Sequence, residues 1–219
     1  MSYASINTRA QLGLNAPPVS VEVHLSNGLP CFSIVGLPEL AVRESRERVR
    51  AALVNCHFKF PARRIIVNLA PAELPKQGGR FDLAIAIGLL IASEQLATDI
   101  LHDYEFMGEL SLNGKLRRSE GILPAAYHCW QQGRVLITAK QNLTELTLLP
   151  THSYLGADTL LQVCAHLTQT RMLESGQALP AQDQTECVQQ SMHDVIGQTA
   201  AKRACLLYTS PSPRDAQLS

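Results

Sequence analysis

The run LAIAIGLLIA, Leu83–Ala92, contains no polar side chain, and it constrains the fold more than any other stretch. A helix that is apolar on every face must be enclosed by other elements rather than laid on a surface. The run is about half the roughly 20 residues needed to cross a bilayer, so it reads as a core helix and no membrane association is expected. It follows directly on PKQGGRFD, Pro75–Asp82. A lysine beside a Gly-Gly pair ahead of a helix is a way to cradle phosphate, but the pattern is not G-x-x-x-x-G-K-[ST], and Gly78-Gly79 with Lys76 reads as a structural turn. Asp82, opening the helix, is expected to be an N-cap that accepts backbone N–H groups.

An enclosed helix needs sheets around it, and the flanking sequence supplies strand signals. Val19, Val21, Val23 and Leu25 recur at every second residue before Asn27-Gly28, predicting a half-buried strand that enters a hairpin with CFSIVG as its partner. A helix is predicted from about Pro38 to His57, with Val42, Val49, Leu53 and Cys56 on one face and the pairs Glu39/Arg43 and Glu44/Arg48 outside. RRIIVNLAP reads as a buried strand, and YEFMGELSLNGKLRR as two strands about Asn113-Gly114, a dipeptide suited to positive φ in a tight hairpin. Helix and strand signals then alternate through LPAAYHCWQQG, RVLITA, NLTELTLL, SYLGAD and TLLQVCAHLTQ.

The fold class is therefore α/β (α+β), with a domain over residues 1–170 and a Gln-, Ser- and Ala-rich flexible linker over 171–191. The 19 basic and 19 acidic residues balance, which leaves only local patches to attract a charged partner. The six cysteines are scattered without a CxxC pair, and the N-terminus lacks a basic segment followed by an apolar one. The chain is expected to be cytoplasmic and reduced. His128-Cys129 has no second Cys/His pair at zinc-like spacing, so no metal is predicted.

The segments VEVHLSNGLPCFSIVGLPELAVRESRERVRAAL, FPARRIIVNLAPAELPKQGGRFDLAIAIGLL and GELSLNGKLRRSEGILPA resemble the N-terminal domain of the magnesium-chelatase-like AAA+ ATPases, the ComM/YifB family. The resemblance spans essentially residues 1–204. It implies that this domain precedes an AAA+ motor in the same parent chain. DVIGQTAAKRA, within 192–204, looks like the start of that motor, truncated before its Walker A loop. The resemblance further implies a parent that works as a homo-hexamer with ATP and Mg2+ on DNA, in branch migration during natural transformation. No cofactor is expected in this fragment; Val195, Ile196 and Gly197 would supply at most part of a nucleotide-binding edge. Cys205–Asp215 can be back-translated into a transposase-type sequencing-library adapter, so residues 205–219 are expected to be an adapter-derived tail.

The loop and hairpin also resemble, more distantly, the proteolytic domain of Lon protease, which implies a Lon-protease-domain-like fold of the ribosomal-protein-like superfamily. Laid onto this chain, the nucleophilic serine falls on Arg80 and the partner lysine on Leu123. Arginine cannot attack a carbonyl and leucine cannot take a proton, so the catalytic dyad is absent and the fragment is expected not to be an enzyme. A Lon-like serine peptidase and part of a magnesium-chelatase-type motor stand as alternative functions. Arg43, Arg46 and Arg50 lie at i, i+3 and i+7, with Lys59, Arg63 and Arg64 shortly after. Glu39, Glu44 and Glu47 interleave with them and favour a solvated, ion-paired face. Contact with DNA or with another subunit shares the remainder, and whether this domain itself touches DNA stays open.

Overall fold

The structure, a computed structural model, describes residues 3–36, 39–173, 175 and 197–209. Most of the predicted linker, together with Val195, Ile196 and residues 210–219, lies outside the described residues. The chain divides into two compact units, residues 1–179 and 180–219.

The first unit is a mixed α/β structure built around the apolar run. A four-stranded sheet has the order β1-β2-β4-β3, formed by β1 (Tyr3–Arg9), β2 (Pro18–Ser26), β3 (Cys31–Val35) and β4 (Arg64–Ala70). β1 and β4 run antiparallel to β2, and β3 runs parallel to β4. Helix α3, Asp82–Ala92, packs on β1 and β2. Every residue from Asp82 to Leu90 is buried, as its all-round apolar character requires. Gly88 sits where the helix comes closest to the sheet: a Cβ there would lie 2.7 Å from the Val23 side chain and 3.3 Å from that of Ile6. Even alanine would force the two layers apart.

The hairpin predicted across Asn27-Gly28 does not form. β4 is inserted between β2 and β3: residues 27–30 carry the chain from β2 to β3, and a crossover made by α1 (Leu40–Arg43) and α2 (Ser45–Asn55) brings it back to β4, parallel to β3. The reason lies in the side chains. Ile65, Val67 and Leu69 of β4 are all fully buried, whereas no residue of β3 is. The strand with more apolar surface to hide takes the central position, and β3 is left at the edge. The single helix expected over residues 38–57 is likewise two, broken at Glu44, where Ser45 is buried and its hydroxyl accepts a hydrogen bond from Arg48 Nη2 at 3.0 Å. The predicted face of Val42, Val49, Leu53 and Cys56 is buried.

A parallel sheet of order β5-β8-β9 comprises β5 (Tyr104–Phe106), β8 (Val135–Ala139) and β9 (Tyr154–Ala157). Helix α4 (Ile122–Gln131) packs against β8, and a 3₁₀ turn at Lys140–Leu146 replaces the helix expected from NLTELTLL. Between the sheets, β6 (Glu109–Leu110) and β7 (Leu116–Arg117) form the hairpin expected at Asn113-Gly114, with Gly114 at φ +78°. Strand β1 carried too weak a pattern to be predicted, because Ala4, Ile6 and Thr8 alternate as buried positions with little apolar bulk. It ends in Arg9, fully buried, whose Nε and Nη2 donate to the two Glu105 carboxylate oxygens at 2.6 and 2.9 Å while Nη1 donates to the Ala16 carbonyl at 2.8 Å. This fork ties β1 to β5 and so joins the two sheets. In the second unit, α6, Thr199–Thr209, follows Gly197 and runs through Cys205.

Helix α5, Leu160–Leu167, closes the first unit, and His166 on it is 1% exposed. Its Nδ1 accepts the Leu173 N–H at 3.2 Å, so Nε2 carries the proton that faces Tyr104 Oη at 3.1 Å. Burial holds the imidazole below its ordinary value of 6.5. The unfolded chain therefore takes up this proton first, and stability present above about pH 6.5 is lost as pH falls through the folded-state value. Urea denaturation at about pH 7.5 and 5.5 is expected to show a smaller loss on acidification for His166→Gln than for the wild type; equal losses would refute this.

Candidate functional site

The loop Pro75–Phe81 is positioned by the buried side chains of Lys76 and Asp82 and by the half-buried Arg80. Lys76 is fully buried, and its ammonium donates to the Gly36 carbonyl at 3.0 Å and to that of Pro71. Burial lowers its pKa. An ammonium facing backbone carbonyls in the interior has no access to a surface phosphate.

Asp82 is not an N-cap: Phe81 occupies that position and makes no side-chain cap bond. The Asp82 carboxylate is instead fully buried and receives Arg48 Nε at 2.7 Å, Arg48 Nη2 at 3.1 Å and the Leu110 N–H at 3.2 Å. A buried carboxylate beside a half-buried guanidinium gains more from this fork than from capping its own helix. Burial pushes the Asp82 carboxyl upward, opposed by the bonds from Arg48, Ser45 and Leu110. Arg48 was expected on the outside with Glu44, and that contact survives only at 4.0 Å. The Asp82 fork is the main polar feature that sequence reasoning missed, because only the packing of α2 against α3 brings the two residues together.

Arg80 lines a cleft of about 290 Å³ with Gly78, Gly79, Glu109, Arg118, Ser119 and Glu120. Its Nη2 donates to Gln11 Oε1 at 2.7 Å, its Nη1 is buried without a partner, and burial lowers its pKa. The cleft's hydroxyl, Ser119 Oγ, accepts the Glu109 N–H at 3.2 Å. Neither histidine nor lysine stands among the described lining residues; the proton acceptors beside that hydroxyl are the carboxylates of Glu109 and Glu120. Leu123 is not part of this lining; it packs, half-buried, on a cluster with Ile122, Ala126 and Tyr154.

The candidate arginines separate into groups. Arg43 and Arg46 line one cleft of about 440 Å³ with Phe32, Ser33 and Ile34 of β3. Arg50 lies a turn further along, its guanidinium 5.3 Å from the Phe60 ring centroid. Arg63 lines a different cleft with Lys59 and Glu94, and Arg64 begins β4. Gly197, of the predicted nucleotide edge, has φ +74° just ahead of α6. His128 meets the Tyr127 ring edge-on, and Cys129 is buried with its thiol pushed well above the ordinary range by burial and by Glu105. Among the described residues no helix is long and apolar enough to cross a membrane.

Comparison with known proteins places this α/β unit in a class. The model of the family described as subunit ChlI of Mg-chelatase matches residues 21–142. The chain is 48% identical over 203 residues to the protein YifB of Escherichia coli, covering 93% of this chain and 40% of that one. It is 47% identical over 215 residues to the competence protein ComM of Haemophilus influenzae, covering 93% and 41%. An uncharacterized protein of Mycobacterium tuberculosis is 36% identical over 193 residues. The chain belongs to the Mg-chelatase ChlI-like family, in its ComM/YifB branch, and spans about 40% of the length of these curated relatives.

The Arg80 cleft generates a direct test. Arg80→Ser restores a hydroxyl at the loop but places no lysine or histidine beside it, only the carboxylates of Glu109 and Glu120. A lone carboxylate is too weak a base to activate serine, so the variant is expected to show no hydrolysis of a fluorogenic peptide and no labelling by a serine-reactive phosphonate. Labelling of Arg80→Ser but not of the wild type would overturn this account of the cleft.

Proposed function

We propose that this chain is a non-catalytic accessory domain of a ComM-like AAA+ ATPase that processes DNA, with branch migration during natural transformation as the parent's task. The observation that carries the reading is the 47% identity to the competence protein ComM over 93% of the chain. In this reading the fold is Lon-protease-domain-like with its dyad replaced by Arg80 and Leu123, and the domain supplies surfaces rather than chemistry. The polar groups of the Pro75–Phe81 loop support it, since Lys76 and Asp82 are spent on internal bonds.

ATP and Mg2+ belong to the parent, whose motor would grip phosphates through a glycine-rich loop, a lysine and a metal-binding hydroxyl. This chain carries no such stretch: Gly114-Lys115 is followed by Leu116. The parent is further proposed to assemble as a homo-hexamer in the cytoplasm. The family description favours a second reading, a chelatase-type motor acting on a tetrapyrrole-metallating enzyme.

Calorimetric titration with ATP and Mg2+, beside an ATPase assay, is expected to show neither saturable binding nor turnover by this chain. The full-length parent is expected to hydrolyse ATP and move a branched DNA junction. Turnover by this chain alone, or a parent whose ATPase ignores branched DNA, would contradict the reading.

A further inference from the structure

The edge of the four-stranded sheet carries a feature that a scaffold does not require. Among the described residues β3 pairs only with β4, so its outer row of N–H and C=O groups faces away from the sheet. Exposed edges are ordinarily blunted by lysine, proline or a bulge. The sequence of β3, CFSIV, has no charge and no proline, and Val35 at its end is 44% exposed.

Beside this edge lies the cleft shared by Phe32, Ser33, Ile34, Arg43 and Arg46. Successive strand residues point to opposite faces, so a cleft lined by three in a row runs along the edge rather than over one face. Its far wall is cationic. Arg43 and Arg46 are three residues apart on consecutive helical segments, and no carboxylate stands among the described lining residues. Arg43 makes no ion pair among the described residues, while Arg46 Nε meets Glu47 at 2.9 Å with both side chains more than half exposed, a pair easily exchanged for another carboxylate. The floor is firm: Phe32 rests on Phe60 at 6.0 Å between centroids, and Arg50 covers Phe60.

We infer that this cleft is a strand-addition site for an extended peptide of alternating apolar and acidic side chains. The β3 edge would supply main-chain hydrogen bonds, Phe32 and Ile34 would receive apolar side chains, and Arg43 and Arg46 would take carboxylates in forked pairs. A nucleic acid strand fits less well. Its phosphates would satisfy the guanidinium groups but would also meet the edge carbonyls, and it has no row of N–H groups to offer them. The inference goes beyond the proposed role in DNA processing and stands or falls apart from it, since its test reads neither ATP nor DNA remodelling.

The test uses the full chain and a fluorescein-labelled peptide of alternating valine and glutamate. Its valine–lysine counterpart, a version N-methylated at alternate residues and a labelled oligo-dT serve as comparisons. Anisotropy is expected to show saturable binding of the valine–glutamate peptide alone, and hydrogen–deuterium exchange is expected to slow at residues 31–35 when it binds. Arg43→Glu with Arg46→Glu should weaken binding by about tenfold or more and leave the thermal melting point unchanged. The inference is overturned by absence of saturation up to about 1 mM or by binding indifferent to the arginine pair. Protection of residues 31–35 by oligo-dT in place of the peptide overturns it as well.

Discussion

The carboxylate of Asp82 holds three elements in one place. It begins α3, receives both arms of Arg48 from α2, and accepts the Leu110 N–H of the β6–β7 hairpin. A buried carboxylate is costly unless its lone pairs are filled, so α2, α3 and the hairpin cannot shift separately without leaving it exposed to that cost. The apolar helix is buried along nearly its whole length, but apolar packing is not directional. The Asp82 fork is what fixes the end of the helix from which the Pro75–Phe81 loop departs.

That anchoring decides what the loop is able to do. Lys76 is turned inward on two carbonyls, Arg80 leans on Gln11, and the cleft beside them holds a hydroxyl already engaged by a backbone N–H. Lys76, Arg80 and Ser119 are thus each engaged within the fold. What remains available lies at the periphery, in the bare edge of β3 and the arginines on α1 and α2. The chain spans about 40% of the length of its curated relatives, and in the role proposed for it such a domain contributes through contact.

How far the sequence spoke for the fold follows from the range of the interactions involved. Local signals were legible: the apolar run became α3, Asn113-Gly114 became a hairpin, and the buried face of α2 followed its spacing. Partnerships between distant residues were not. Alternation marked Val19–Leu25 as a strand, but only the greater burial of Ile65, Val67 and Leu69 determines that β4, and not β3, lies beside it. Arg9 and Glu105 are 96 residues apart, and nothing in either neighbourhood announces the pairing. At the candidate site, Arg80 and the Arg43–Arg46 pair were named from sequence, while Arg48 was assigned to the surface because its Glu44 neighbour explained it locally.

The account rests on Asp82 and Arg48 acting as one unit, and a double-mutant cycle on urea denaturation tests this most directly. Arg48→Met is expected to destabilise by about 3–5 kcal/mol, because it leaves the fully buried Asp82 carboxylate without its ion partner. Asp82→Leu is expected to destabilise by less, because the half-buried Arg48 retains Glu44 and access to solvent. The double variant removes both charges and is expected to be no less stable than the weaker single variant. Losses that simply add, to within about 0.5 kcal/mol, would contradict the account.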